Sequence, residues 1–334
     1  MSGVVVRRLA LLVLVLAGMS VITFVVSHLI PADPARLVAG IHASASQVET
    51  VRKEYGLDLP YPVQYVRYVS GLLRGDMGKS LVTRRPVQQD LREFFPATVE
   101  LALAAILLCL LIGVPLGVLS AIYRERWLDH IMRVLALAGS SFPAFWLGLL
   151  LQLVFYRGLR LLPLGGRLEL FQTPPPGVTG LYTVDSLLAS DMKLFASVVT
   201  HLLLPAVTLS MAALAIMTRM TRSAMLDVLS KDYIRTARAK GLAERVVLFK
   251  HALKNALFPV LTLTGLEVGS LLGGSVLVES VFDWPGVGLY ALKAVQNMDF
   301  PAIMGMTLLV STCYVIINLI VDLSYYLVDP RTRG

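Results

Sequence analysis

The sequence predicts an all-α membrane protein that crosses the bilayer six times, and three observations lead to this prediction. Apolar residues make up 56% of the 334 residues and charged residues only 16%, with a mean hydropathy of +0.72. This composition lies far from that of a soluble domain. Six segments are apolar over the roughly 20 residues that a spanning helix needs. The polar interruption at residues 219–255, between two of these segments, is strongly basic.

The predicted spans leave one large segment outside the membrane. Residues 1–30 form the first transmembrane helix, which ends where two prolines of the sequence PADP break it. Residues 31–95 have mixed polarity and predict a small, mostly helical external domain. Residues 96–328 hold the other five spans, and residues 329–334 form a short tail. The six predicted spans are residues 9–30, 97–122, 132–156, 198–218, 257–281 and 302–328.

The basic residues determine the predicted orientation. With the N-terminus inside, sixteen of the thirty Lys and Arg residues fall in cytoplasmic segments beside helix ends, as the positive-inside rule expects. The external segment 31–95 carries nine basic residues, but long translocated segments are largely exempt from the rule. We therefore expect both termini in the cytoplasm, with residues 31–95, 157–197 and 282–301 outside.

The basic loop at residues 219–255 carries nine basic residues against three acidic ones, and its centre predicts a short amphipathic helix from Asp232 to Leu242. At helical spacing Ile234, Ala237 and Gly241 share one small, apolar stripe. Such a helix either lies on anionic lipid headgroups or docks into another protein. The small residues favour docking slightly, because they bury little area in lipid but permit close approach of a protein backbone.

The fifth span contains a glycine pattern and an acidic residue. Gly265, Gly269 and Gly273 recur every four residues on one face, a spacing that lets helices approach closely in lipid. We interpret them as helix-packing residues within this chain, with contact to a second subunit or a pathway wall as alternatives. Glu267 shares a stripe with Leu271 near the middle of the span. Because an intramembrane carboxylate tends to face water or a partner, both are candidates for a substrate path, and pairing with a neighbouring helix is the alternative.

Other classes of function lack support in the sequence. The net charge of +8 is distributed as topology determinants, so we expect no nucleic-acid partner. Gly78-Lys79-Ser80 lacks the glycine that a phosphate loop requires five positions earlier, and the five histidines belong to no protease motif. Cys109 and Cys313 fall in apolar spans and predict buried packing residues. We therefore expect no catalytic residue, metal or cofactor on this chain.

Several stretches resemble the permease subunits of ABC importers, in particular the dipeptide/oligopeptide/nickel branch. In the basic loop, residues 235–242 read RTARAKGL, and HALKNALFP follows at residues 251–259. Residues 279–288 read ESVFDWPGVG, which is similar to the family's E-x-x-F-x-W-P-G-x-G signature. Residues 31–34 read PADP, where the family has P-G-D-P. The resemblance covers nearly the whole chain and is to the first of two homologous permeases, the dipeptide-permease B type.

The resemblance implies the type I ABC importer permease fold and a complex in the bacterial inner membrane. A second homologous permease would complete the path through the lipid bilayer, and an external binding protein would deliver a peptide substrate. Two ATPase subunits would bind ATP and Mg, and this chain would have no nucleotide site. The residues implied to couple to an ATPase are Asp232, Tyr233, Arg235, Thr236, Ala237, Arg238, Ala239, Lys240, Gly241 and Leu242.

The resemblance also assigns an external turn and a substrate class. Asp283, Trp284, Pro285 and Gly286 would form an external gate or contact the binding protein. Dipeptides or short oligopeptides are the implied substrates, with nickel chelates, glutathione or haem-like cargo as alternatives in the same branch. A stand-alone secondary transporter would need ion-coupling carboxylates or inverted repeats, and Glu267 is the only such acid near mid-membrane. A scaffold that recruits cytoplasmic proteins would leave the external matches unexplained.

Overall fold

The computed structural model describes residues 2–29, 34–40, 43–54 and 56–328, and within these ranges every named element is a helix. The first three residues of the PADP sequence and the predicted tail at residues 329–334 lie outside the described residues. Five of the described helices are long and apolar enough to cross a membrane, and a bent pair of helices supplies a sixth crossing if it is counted as one span. The five are Ala10–Ser27, Val87–Ile122, Met192–Leu229, Val246–Leu271 and Phe300–Val321.

The third predicted span, residues 132–156, is not one straight helix. Two helices, Trp127–Ser141 and Ala144–Gly158, meet there at an angle of 105°. Phe142 between them is extended, with φ −86° and ψ 136°, because the ring of Pro143 disfavours the helical conformation at the residue before it. The prediction of a single span is corrected to a bent pair.

The chain divides into two compact units. The first comprises residues 1–95 and 286–316, and the second comprises residues 96–285 and 317–334. The boundary after residue 95 coincides with the predicted end of the external segment. Residues 286–316, which were predicted to be part of the five-span core, instead group with that segment.

The first unit contains the first spanning helix and the short helices of the predicted external segment. Its helices are Ser2–Leu29, Pro34–Ala39, Ala45–Glu54, Tyr61–Leu73, Val87 to Phe95 at the start of the helix Val87–Leu108, Val287–Gln296 and the start of Phe300–Val328. Asp299 explains why residues 286–316 group here. Its carboxylate accepts hydrogen bonds from Ser80 Oγ at 2.5 Å and from the Leu81 backbone N–H at 2.8 Å. Apolar packing supports this link, through a buried cluster of Val87, Leu91, Val287, Tyr290, Ala294 and Ala302.

The second unit is arranged around one long helix, Met192–Leu229, which we call the long helix. It packs against the helices Val114–Ile122, Trp127–Ser141, Ala144–Leu151 and Lys254–Gly274. Gly117 permits one of these contacts, because a Cβ at this position would lie 2.5 Å from Thr221 Cβ. The unit also contains residues 96–108 of the helix Val87–Leu108 and residues 317–328 of the helix Phe300–Val328. Its shorter helices are Tyr182–Leu188, Asp232–Ala239 and Val276–Val281, with π-helical stretches at Cys109–Gly113, Gln152–Gly158 and Val246–Leu253.

Candidate functional site

The predicted amphipathic helix of the basic loop is present at Asp232–Ala239, and we call it the surface helix. Asp232 lies in its first turn, where a negative charge interacts favourably with the helix dipole. The helix ends before Gly241, whose φ of +74° is accessible to glycine at little cost. The Leu242 N–H donates to the Ala237 carbonyl at 3.3 Å and completes this end. The helix is therefore shorter than the predicted span Asp232–Leu242, and the expectation that Gly241 lies on its helical stripe is corrected.

The apolar face of the surface helix packs inside the chain. The Ile234 side chain is fully buried and Ala237 is 8% exposed. Both belong to a cluster with Met225 and Val228 of the long helix and with Val247. The interpretation that Ala237 permits an ATPase to approach closely is therefore corrected, because its methyl group contacts this chain's own residues. The face that remains free is the polar one.

The outer face of the surface helix is exposed and predominantly basic. Arg238 donates to both oxygens of Glu244, at 2.7 and 3.2 Å. This interaction holds the pKa of Glu244 below its ordinary value. Asn255 Nδ2 donates to the hydroxyl oxygen of Tyr233 at 3.0 Å. The predicted coupling residues that are exposed on this side are Asp232, Tyr233, Arg235, Thr236, Arg238, Ala239, Lys240, Gly241 and Leu242.

A buried ion pair fixes the start of the helix Trp127–Ser141 to the long helix. The Asp129 carboxylate is fully buried and accepts two hydrogen bonds from Arg222, both at 2.8 Å. Ser120 Oγ and the Glu125 N–H donate to the same carboxylate at 2.5 and 3.0 Å. Sequence reasoning treated Arg222 only as one of the loop's positive charges. An acid at the start of an apolar helix was the available signal for this pair.

The predicted external turn is largely a packing element. The Trp284 side chain is fully buried, and its indole N–H donates to the Ala97 carbonyl at 2.8 Å. The assignment of Trp284 as a contact residue for a binding protein is therefore corrected. Asp283 is exposed and Pro285 half-buried, so these two residues of the turn remain accessible. Gly286 is buried, at the start of the helix Val287–Gln296.

A second buried ion pair, missed in the sequence, holds the loop at residues 157–197. Arg167 donates to Glu100 at 2.6 Å, and both side chains are less than one-tenth exposed. The guanidinium lies over the Tyr182 ring, 3.4 Å from its centroid. The other Glu100 oxygen accepts the Thr183 N–H at 2.6 Å. Glu100 and Arg167 are far apart in the sequence, so no local pattern indicated that they would meet.

Further contacts fix the same loop. Gln152 Nε2 donates to the carbonyls of Leu164 and Val281, at 2.9 and 3.0 Å. Gly165 lies against the Phe282 backbone so closely that a Cβ there would collide with it. Asp185 accepts hydrogen bonds from both the N–H and the hydroxyl of Thr179, at 2.8 and 2.7 Å. These contacts therefore fix the loop in one conformation within the second unit.

The candidate path residues have different surroundings. Leu271 is buried in the apolar cluster of the second unit, so its assignment to a path surface is corrected. Glu267 is half-buried and remains a candidate. A Cβ on Gly265 would collide with Val321, whereas a Cβ on Gly273 would meet no atom within 4 Å. Gly269 is buried. Within the described residues, no group of three or more His, Cys, Asp or Glu side chains is placed to hold a metal ion.

Two known protein families match this chain. Residues 113–334 match the family described as the binding-protein-dependent transport system inner membrane component. Residues 1–102 match the corresponding N-terminal family. The chain belongs to this permease family. The predicted all-α, multi-pass fold and the predicted family are thereby confirmed.

Individual relatives of this permease cover almost the whole chain. A “Probable D,D-dipeptide transport system permease protein” of Escherichia coli (strain K12) is 54% identical, over 96% of this chain and 94% of the relative. A di/tripeptide transport system permease protein of Pseudomonas aeruginosa is 43% identical, over 100% and 99%. A glutathione transport system permease protein of Salmonella paratyphi A is 40% identical, over 100% and 99%.

Proposed function

We propose that this permease is one of the two membrane subunits of an ATP-driven importer that carries dipeptides or short oligopeptides inward. The observation that carries the proposal is the 54% identity, over nearly the full length, to a permease named for D,D-dipeptide transport. A second homologous permease would complete the path across the bilayer. An external binding protein would deliver the peptide. Both termini would lie in the cytoplasm.

The surface helix would transmit conformational changes of the ATPase subunits to the membrane segments. ATP and Mg would bind to two partner subunits, and the exposed basic face would lie in a groove of one of them. Arg235 and Lys240 on this face would make charge-assisted hydrogen bonds with acidic groups of the partner. The buried contacts of Ile234 connect the helix to the long helix, so a movement of the docked helix would reach the membrane segments. Coupling then rests on a difference in ATPase affinity between the inward and outward states.

Gly241 offers the sharpest test of this docking. In the reconstituted importer, we expect Gly241→Arg to abolish binding-protein-stimulated ATP hydrolysis and peptide uptake, because the long side chain projects into the interface. Any non-glycine residue at φ +74° costs about 1 kcal/mol in backbone strain. Gly241→Asn is the matched control, since Asn tolerates this conformation and adds little bulk. We expect it to retain most of the activity.

The assembled complex must be intact for this comparison, which co-purification of all subunits establishes. Equal uptake by Gly241→Arg and wild type would exclude the proposed docking and return the surface helix to contact with lipid headgroups. Equal loss in both variants would mean that backbone strain, and not the interface, is responsible.

The relatives also suggest a preference in the stereochemistry of the substrate. Identity is 54% to the D,D-dipeptide relative but 43% to the di/tripeptide relative and 40% to the glutathione relative. We therefore expect D-alanyl-D-alanine to compete for uptake of a labelled dipeptide more strongly than glutathione does. The measurement is uptake into proteoliposomes that contain the full importer and its own binding protein. Competition by glutathione alone would replace the peptide assignment with a glutathione importer.

A further inference from the structure

An open cavity of about 610 Å³ lies in the second unit, where the bent pair of helices ends. This volume is within the range of about 300–1,000 Å³ found for small-molecule sites. None of the residues assigned to coupling, packing or the external turn lines it. Its polar lining consists of Tyr156, Arg157, Arg160, Glu169, Thr200 and His201.

One wall of the cavity has an unusual backbone. The helix Ala144–Leu151 continues as the π-helical stretch Gln152–Gly158, and the chain then turns sharply. The Leu159 N–H donates to the Val154 carbonyl at 2.8 Å, and Arg160 has a φ of +54°. Left-handed conformations are unfavourable for a bulky residue, and both they and π-helical turns concentrate at functional sites. This wall therefore holds its arginines in a costly but defined arrangement.

The other wall is held by contacts described for the loop. Glu169 lies two residues after the buried Arg167, and its carbonyl accepts the Gln172 N–H at 3.1 Å. His201 comes from the long helix, and its Nδ1 lies 2.8 Å from the Ser197 carbonyl. Because a carbonyl can only accept, Nδ1 carries the proton, and Nε2 is left for another partner. The wall thus presents a carboxylate and an imidazole.

The charged groups at this cavity have no partner among the described residues. Arg157, Arg160 and Glu169 are exposed, and none of their side chains forms an ion pair or hydrogen bond with another residue that the structure describes. By contrast, Arg167 and Arg222 of the same unit each bind a buried carboxylate. The cavity therefore offers two guanidinium groups and one carboxylate to a ligand that carries both signs of charge.

We infer that this cavity is a transient binding site for short peptides with free termini, an inference that rests on the proposed function. The Arg157 and Arg160 guanidiniums suit a terminal carboxylate, which they can bind in bidentate fashion. Glu169 suits a terminal ammonium group and disfavours ligands that are only anionic. A peptide with one blocked end leaves one of these charges without its partner, so the site selects zwitterions.

The test measures peptide binding to the complete importer in nanodiscs without its binding protein. The probes are radiolabelled alanyl-alanine, its C-terminal amide and its N-acetyl derivative. We expect the wild type to bind the unblocked peptide about threefold more tightly than either derivative, the size expected of one solvent-exposed charge pair. In R157Q/R160Q, only the preference for the unblocked peptide over the C-terminal amide should be lost. In E169Q, only the preference for the unblocked peptide over the N-acetyl peptide should be lost. Arg92→Gln, which removes a charge from the first unit, should change neither preference.

Three results would overturn the inference. The first is absence of saturable binding to the wild type at millimolar peptide. The second is unchanged preferences in both cavity variants. The third is a cavity variant whose only measured change is a weaker affinity of the importer for its binding protein, which would make the cavity a docking surface. Uptake by the wild type with its binding protein is measured in parallel, so that absence of uptake refutes the proposed function and normal uptake with any of the three results refutes only this site.

Discussion

Two regions of the second unit are held in place in different ways. A buried ion pair fixes the loop at residues 157–197, and apolar packing fixes the surface helix. At the loop of residues 157–197, the paired side chains of Arg167 and Glu100 are 6% and 3% exposed. At the surface helix, the paired Arg238 and Glu244 are 44% and 55% exposed, and the buried anchor is Ile234. Exposed pairs contribute little and exchange partners readily, whereas a buried pair is costly to break. The surface helix thus keeps its charges available to a partner, whereas Arg167 and Glu100 are committed to each other.

Removal of one charge from the buried pair gives the largest expected effect. Glu100→Gln leaves the Arg167 guanidinium buried and unpaired, which costs about 3–5 kcal/mol. We expect a large fall in the thermal unfolding temperature of the detergent-solubilised permease. The double variant Glu100→Gln/Arg167→Met removes both charges and should recover much of the loss. A double variant that is less stable than Glu100→Gln alone would show that the two residues do not act as a pair.

Truncation of the apolar anchor should weaken the surface helix specifically. Ile234→Ala removes a fully buried side chain, and such changes cost about 2–5 kcal/mol. We expect the basic loop to be cleaved faster by trypsin and ATP hydrolysis to become insensitive to the binding protein. Tyr233→Phe is the control on the exposed face, since it removes only the hydroxyl that accepts from Asn255. Loss of the same size in the control would argue against the role assigned to packing.

The exposed pair should give the smallest effect. Glu244→Gln is expected to change stability by less than about 1 kcal/mol. Because the folded-state pKa of Glu244 is depressed, its contribution is present above the ordinary Glu pKa and is lost as the pH falls through the folded value. Chemical denaturation at neutral and acidic pH measures this difference between variant and wild type. A larger difference at acidic pH than at neutral pH would contradict the assignment.

The family, the spans and the surface helix were predictable because they depend on motifs, apolar runs and helical periodicity among residues that are close in the sequence. The predicted apolar stripe was correct at Ile234 and Ala237 but wrong at Gly241, which is exposed beyond the end of the helix. Helical spacing also does not say whether a stripe faces the chain or a partner. Trp284 was misassigned for a related reason: a motif shows that a residue matters, not whether it is buried. The Arg167–Glu100 pair was missed because the contact forms only through the tertiary fold.

The bend in the third span lies between these cases. Pro143 was visible in the sequence, yet the apolar run on both sides of it predicted one continuous helix. Arg157 and Arg160 of the cavity have no partner among the described residues, and no pattern in the sequence singled them out, because the sequence does not show which charges find partners. Sequence reasoning therefore located the elements, and tertiary contacts decided what each exposes.

The long helix has a consequence for the size of the movements this protein requires. Its 38 residues extend about 57 Å at 1.5 Å per residue, nearly twice the roughly 30 Å hydrocarbon thickness. A tilt of about 5° around its midpoint would shift each end by about 2.5 Å, given this length. Such a tilt would hardly change the packing at the centre of the helix. At its two ends, however, it would produce displacements nearly as long as a hydrogen bond.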